Sequence, residues 1–242
     1  MARPDITDIY DVVDGTWPAA RYDTHGPLTF REGQGGGQRV SATTASGPVS
    51  EAQLDEAEAK MRAMNQPALF MIRDGQDDLD AQLDARGYAI HDPVNAYVCP
   101  VETLMGEPVP PVTVIPVWEP LALMIDIWAE GGIGEGRIAV MHRAKGPKTG
   151  LIARWRDHPG GCAFVAIHNG VAMLHAVEIL ADQRNQGLGK WVMRRAAFWA
   201  AKQGATHVSV VCTQANAAAN ALYSSLGMTL VGRYHYRKFV EE

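Results

Sequence analysis

Residues Val177 to Lys190, Val-Glu-Ile-Leu-Ala-Asp-Gln-Arg-Asn-Gln-Gly-Leu-Gly-Lys, read as a strand, a tight loop and the start of a helix. The first N–H groups of a helix have no intrahelical partner and lie at the positive end of its dipole. Gly187 and Gly189 carry no Cβ, so an anion can approach those amides directly, and Arg184 and Lys190 add positive charge at either end. The chemistry this implies is phosphate or pyrophosphate binding. Two common phosphate loops fail on spacing. Lys190 is followed by Trp191 and not by a hydroxyl residue, and Val192 stands where a dinucleotide fingerprint has its third glycine. What fits is Arg-x-x-Gly-x-Gly over 184–189, directly after a strand. A plain strand-to-helix turn can also collect two glycines.

The segment downstream adds a second group. His207–Cys212 reads as an apolar strand, and Asn216 to Met228 as a helix stopped by Gly227. Asn216 and Tyr223 are seven residues apart, close to two helical turns, so the spacing places both on one face. A tyrosine on an amphipathic helix is more often core than catalytic. This one shares its face with an asparagine at the helix start, beside the phosphate loop.

Arg184-x-x-Gly187-x-Gly189 followed by Asn216-x6-Tyr223-x-x-Leu226-Gly227-Met228 resembles the GCN5-related N-acetyltransferases, the GNAT family. The resemblance is strongest over 171–240, and the order of elements extends it back to about 112. Tyr234-His-Tyr-Arg237 is similar to a bacterial subgroup in which a degenerate N-terminal half-copy of the fold precedes a complete C-terminal one. Residues 25–101 resemble that half-copy weakly and keep no binding motif. The resemblance implies an α/β (α+β) fold, with a mixed, mostly antiparallel central sheet flanked by helices and preceded by a smaller degenerate α/β domain. It implies acetyl-CoA as cosubstrate and no metal. Backbone groups of Val177, Glu178 and Ile179 would hold the pantetheine arm. The amides of Arg184, Asn185, Gln186, Gly187, Leu188, Gly189 and Lys190 would hold the pyrophosphate. Asn216 would touch the cofactor arm, and Tyr223 would protonate the departing thiolate. Many relatives have a carboxylate nine residues ahead of the motif arginine, where this chain has His175. Glu178 is the only carboxylate on that strand. A regular strand would point His175 and Glu178 to opposite faces, and a bulge would change that. His175, with an ordinary pKa near 6.5, suits proton transfer near neutrality; it reads equally well as a hydrogen-bonded histidine lining the strand. The expected reaction is direct acetyl transfer to a primary amine of a small molecule or peptide. The alternatives are an acyl-CoA-binding sensor in which Tyr223 is only core, and a general phosphate-binding domain.

The elements that must position these groups follow from turn and periodicity signals. Asn169-Gly170 between Ala163–His168 and Val171–Leu180 predicts a hairpin. Val112–Trp118 reads as a strand, and Leu121–Trp128 and Arg137–Arg143 as helices around the GGIGEG loop. The prolines at 108, 110 and 111 mark a linker over 105–111 between domains 1–104 and 112–242, or else the edge of a single sheet. In the first part, Gly26–Glu32 and Gln38–Thr43 alternate as a hairpin around GQGGG. Ser50-Glu-Ala-Gln53 has capping-box form ahead of a helix, Leu69–Arg73 is a strand, Asp77–Arg86 a helix stopped by Gly87, and Tyr88–Val101 a strand.

Composition limits the remaining classes. The chain has 242 residues, 47% hydrophobic and 20% charged, which excludes a disordered or coiled-coil protein. A net charge of −5 with no basic block gives no reason for nucleic-acid or membrane-surface binding. Three scattered cysteines form no CxxC pair and fit a reducing, cytoplasmic setting. His142, His158, His168, His207 and His235 show no metal-ligand spacing. The aspartates at 5, 8, 11 and 14 argue against a signal peptide. Either a monomer or a homodimer is compatible with these features.

Overall fold

The computed structural model describes residues 3–239. Helix α1 (Ile6–Thr16) opens the chain, capped by Asp5, whose carboxylate accepts from the amides of Thr7 and Asp8 while Asp8 caps back. Strands β1 (Arg21–His25), β2 (Leu28–Glu32) and β3 (Thr44–Ala45) form a small three-stranded sheet. The hairpin turns at Gly26-Pro27. Gln38–Val40 is a 3-10 turn and not the strand expected from alternation, because the glycines of GQGGG bend the chain past Val40 into the core. Helix α2 (Glu51–Ala63) has the reciprocal Ser50/Gln53 cap that its sequence announces.

Strand β4 (Leu69–Arg73), helix α3 (Asp77–Ala85), strand β5 (Tyr88–Pro100) and the single turn α4 (Val101–Leu104) complete the first part. After the proline segment come β6 (Val114–Val117), α5 (Ala122–Glu130), α6 (Glu135–Arg143), β7 (Lys148–Trp155), β8 (His158–His168) and β9 (Val171–Ile179). Helix α7 (Leu188–Lys202), β10 (His207–Thr213), α8 (Ala217–Ser225) and β11 (Thr229–Phe239) end it. Pairing resumes at Val114 and not at Val112, whose φ of 62° lies outside the extended region.

One eight-stranded sheet runs in the order β4-β11-β5-β10-β9-β8-β7-β6. All its neighbours are antiparallel except β9 and β10. It is mixed and mostly antiparallel, with helices on its faces, as the resemblance implies. Helix α7 covers one face through Leu188, Val192, Met193, Ala196, Ala197 and Ala200. Helices α5 and α6 cover the other through Met124, Ile127, Trp128, Val140 and Met141.

The sheet also crosses the proline segment, because each half places its last strand in the other. β5 lies between β10 and β11, and β11 lies between β4 and β5. The two halves repeat each other at a fixed offset: α3 (77–85) matches α8 (217–225), and Gly87 matches Gly227, both with positive φ. Asp80 on α3 accepts from Nε of Arg237 on β11 at 2.7 Å and pairs with His235 at 2.7 Å. At the matching position on α8, Asn220 accepts from Tyr97 at 2.9 Å and from Asn95 at 2.7 Å, both on β5. Val94 and Tyr234, which match each other by this offset, are also register partners, so the pseudo-twofold axis passes between them.

Candidate active site

Strands β9 and β10 pair only from Val171/His207 to Leu174/Val210. Beyond that they separate, although β9 continues to Ile179 and β10 to Thr213. The wedge between them is walled by half-buried residues, Ala176–Ile179 on one side and Val211–Thr213 on the other. Glu178 and Ile179 pair only with β8 at this level and Val177 has no register partner, so the other backbone edge of this stretch faces the wedge.

The loop behind β9 reaches the start of α7 through two left-handed residues, Asn185 (φ 61°) and Gly187 (φ 80°). Asn185, Gln186 and Gly187 are exposed. Among the described residues their amides find no backbone acceptor, and those of Leu188, Gly189 and Lys190 precede the first intrahelical bond, from Trp191 N–H to Gly187 O at 3.2 Å. That is a cradle of unpartnered donors at a helix start. The two flanking cations are already engaged. Arg184 donates to Ile179 O at 3.0 Å and pairs with Glu178 at 3.3 Å, while Lys190 pairs with Glu107 at 2.9 Å. Gly189 is needed for a reason that spacing does not reveal: a Cβ there would lie 2.9 Å from the Leu222 side chain, where α7 packs on α8.

Strand β9 carries the anticipated bulge. Phe164 faces His175 and Cys162 faces Glu178, so Ala176 and Val177 together oppose one residue of β8, and Ala176 has a φ of 50°. Trp128 Nε1 donates to the freed carbonyl of Ala176 at 2.8 Å. The extra residue turns His175 and Glu178 to the same face, toward α5. Glu178 sits against Gly131 at the end of α5, where a Cβ would be 2.6 Å from its carboxylate.

His175 is buried, with Trp17 and Phe164 rings beside it. The Thr16 hydroxyl donates to Val12 O at 2.6 Å, so it accepts from Nε2–H of His175 at 2.8 Å. A guanidinium only donates, so Nδ1 accepts from Arg39 at 2.8 Å. Both ring nitrogens are used in the neutral form. Burial, and then the charge on Arg39, holds the imidazole well below its usual pKa.

Tyr223 is 5% exposed and packs in the core under α7, its ring 5.7 Å from that of Tyr97. Its hydroxyl makes no hydrogen bond among the described residues. Burial raises its pKa, with Cys212 and Tyr97 adding to the effect, so it is a neutral donor. Asn216 is exposed at the α8 N-cap and accepts from Ala219 N–H at 3.0 Å. Asn220 holds the start of α8 in place, donating to Thr213 O and Asn216 O.

A cavity of about 300 Å³ opens beside the wedge. Ala176 and Cys212 belong to both, and Trp17, Arg39, Arg137, Tyr234 and Tyr236 line the rest. Thr16, Trp17, Arg39 and Arg137 carry no local motif in sequence. Only the fold brings the loop at 37–39 to β9. Among the described residues, no group of three or more His, Cys, Asp or Glu is placed to hold a metal ion.

Residues 121–228 match the family described as "Acetyltransferase (GNAT) family". Among solved structures, the chain is similar to a GCN5-related N-acetyltransferase from Kribbella flavida, with 19% identity and a TM-score of 0.70 over 97% of this chain and 95% of that one. It is similar to a conserved protein of unknown function from Staphylococcus epidermidis, with 12% identity and a TM-score of 0.68 over 93% and 96%. A tandem GNAT protein from the clavulanic acid biosynthesis pathway aligns at 12% identity and a TM-score of 0.57, over 83% and 76%. No curated protein matches the chain. The structural likenesses establish the fold.

Proposed function

We propose that the protein, whose residues 121–228 match the family described as "Acetyltransferase (GNAT) family", transfers an acetyl group from acetyl-CoA to a primary amine. The observation that carries this reading is the wedge between β9 and β10 together with the unpartnered amides at the start of α7; the Tyr223 hydroxyl, without a hydrogen bond among the described residues, supports it. The residues fit acetyl-CoA, which supplies an activated acetyl thioester when bound. The free edge of Val177–Ile179 suits the amide groups of the pantetheine arm, and the amides from Arg184 to Lys190 suit its pyrophosphate.

The reaction forms an amide C–N bond, breaks the thioester C–S bond, takes one proton from the amine and returns one to sulfur. In this reading Tyr223 supplies the proton to sulfur; its raised pKa keeps it protonated. Glu178, turned by the bulge to the acceptor face, takes the amine proton directly or through water. His175 lacks a free lone pair and acts as a positioning residue that fixes Arg39 and ties α1 to β9. Residues 1–104 serve as a degenerate partner half that lends β5 to the transferring half, residues 112–242. The free cysteines Cys99, Cys162 and Cys212 suit a cytoplasmic setting.

One observation favours a second reading, an acyl-CoA sensor without catalysis: Tyr223 is packed in the core. Release of free CoA with a panel of primary amines tests the two. Amine-dependent release supports the transferase, and acetyl-CoA binding without release with any amine supports the sensor.

A further inference from the structure

The acceptor cavity contains an unbalanced charge. Arg39 and Arg137 both line it, and neither forms an ion pair among the described residues. Arg39 spends one N–H on the neutral Nδ1 of His175, and its Nε is buried with no hydrogen-bond partner. The Trp17 ring lies 5.8 Å from its guanidinium carbon, a contact that eases but does not neutralise the charge. Arg137 is exposed, and its firmest neighbour is a weak contact with Gly132 O at 3.5 Å. Gly37, next but one to Arg39, leaves room for Arg137: a Cβ there would be 3.3 Å from Arg137 Nε. The one acidic residue in the lining, Asp92, is exposed and pairs with His91 at 3.3 Å.

Arg39 is half-buried, with its Nε buried and without a partner, and a guanidinium's planar fork matches a carboxylate. Trp17, Tyr234 and Tyr236 give the cavity an aromatic wall, Val94 and Ile133 add apolar surface, and the cavity meets the wedge at Ala176 and Val211–Thr213. Its volume of about 300 Å³ is at the small end for ligand pockets, which suits a single small molecule. We infer that the acceptor is an amino acid or a similar small amine whose carboxylate is held by Arg39 and Arg137, with its apolar side chain against the aromatic wall and its amine toward the wedge. This rests on the transferase reading and narrows its substrate class.

The test uses the full chain with acetyl-CoA and matched acceptors: L-phenylalanine, L-phenylalaninamide and phenethylamine; the corresponding leucine set; and O-phosphoethanolamine beside ethanolamine. CoA release should favour the carboxylates over their amides and decarboxylated amines by at least about 10-fold in kcat/KM. In Arg137→Gln, and independently in Arg39→Gln, KM for the carboxylate acceptor should rise by about 10- to 100-fold, the range for losing a charged hydrogen bond, with acetyl-CoA affinity unchanged by calorimetry. Equal or better use of the amides or amines, turnover of none of the carboxylates, or preference for O-phosphoethanolamine would overturn the inference. Any of these in a protein that still binds acetyl-CoA leaves the transferase reading standing, whereas absence of acetyl-CoA binding removes that reading and this one together.

Discussion

Arg39 donates to Nδ1 of His175 at 2.8 Å, across 136 residues of sequence. Burial, and then the charge on Arg39, keeps the imidazole neutral in the folded protein, while the unfolded chain protonates it near pH 6.5. The folded-state pKa is depressed, so the stabilisation is complete above about pH 6.5 and is lost as pH falls toward the folded value. Chemical denaturation from pH 8 to pH 5 should show stability falling below about 6.5, with a weaker fall in His175→Gln. A variant with the parental pH profile would remove His175 as the titrating group.

Thr16 closes the other side of that ring. Thr16→Val keeps the shape and leaves Nε2–H buried without an acceptor, which should cost about 1–3 kcal/mol. Denaturant unfolding checks this, and a change below about 0.5 kcal/mol would contradict the assigned tautomer.

Gly187 adopts a φ of 80° at the start of α7. Gly187→Ala strains that turn and tilts the amide cradle, so acetyl-CoA affinity should fall while the fold is retained. Gly189→Val is a poorer test of the cradle, because its Cβ also meets Leu222. Calorimetry on a folded Gly187→Ala protein with parental affinity would take the pyrophosphate away from this loop.

The strand exchange predicts that the two halves unfold together. Arg237 is buried, and Asp80 accepts from it through both oxygens, at 2.7 and 3.2 Å. Asp80→Ala leaves Arg237 only Asp84, at 2.6 Å, and Tyr88 O, at 2.8 Å, and should cost about 1–3 kcal/mol. Thermal unfolding should remain one transition at a lower Tm. Two separated transitions would show that the halves are independent.

Much of this arrangement was legible locally. The Asn169-Gly170 hairpin, the Ser50 cap and the loop into α7 are each written in a few adjacent residues, and each formed as read. Helix α1 was hidden because its aspartates look like a solvated acidic stretch, although Asp5 and Asp8 are its cap and Ile9, Val12 and Val13 its buried stripe. Strand β7 was missed because Lys148 and Thr149 precede its apolar run without an alternating pattern. The cavity lined by Trp17, Arg39 and Arg137 could not be read, since these residues meet only through long-range packing. The offset shared by Asp80 and Asn220 was present in the sequence as a repeated helix ending in Gly87 and Gly227, and it announces the paired halves.

The central claim is that a single acetyl-CoA site feeds Tyr223-assisted transfer. The most direct measurement is a calorimetric titration of acetyl-CoA paired with CoA-release kinetics for parent and Tyr223→Phe. The phenylalanine keeps the ring against Tyr97 and removes only the hydroxyl. Only one site per chain is expected, because the start of α2, the matching position in the first half, is closed by its own Ser50/Gln53 cap. Affinity should be nearly the same in both proteins, and kcat should fall by about 10²- to 10⁴-fold in the variant. Two sites per chain, no binding, or a folded Tyr223→Phe protein turning over at the parental rate would contradict the account.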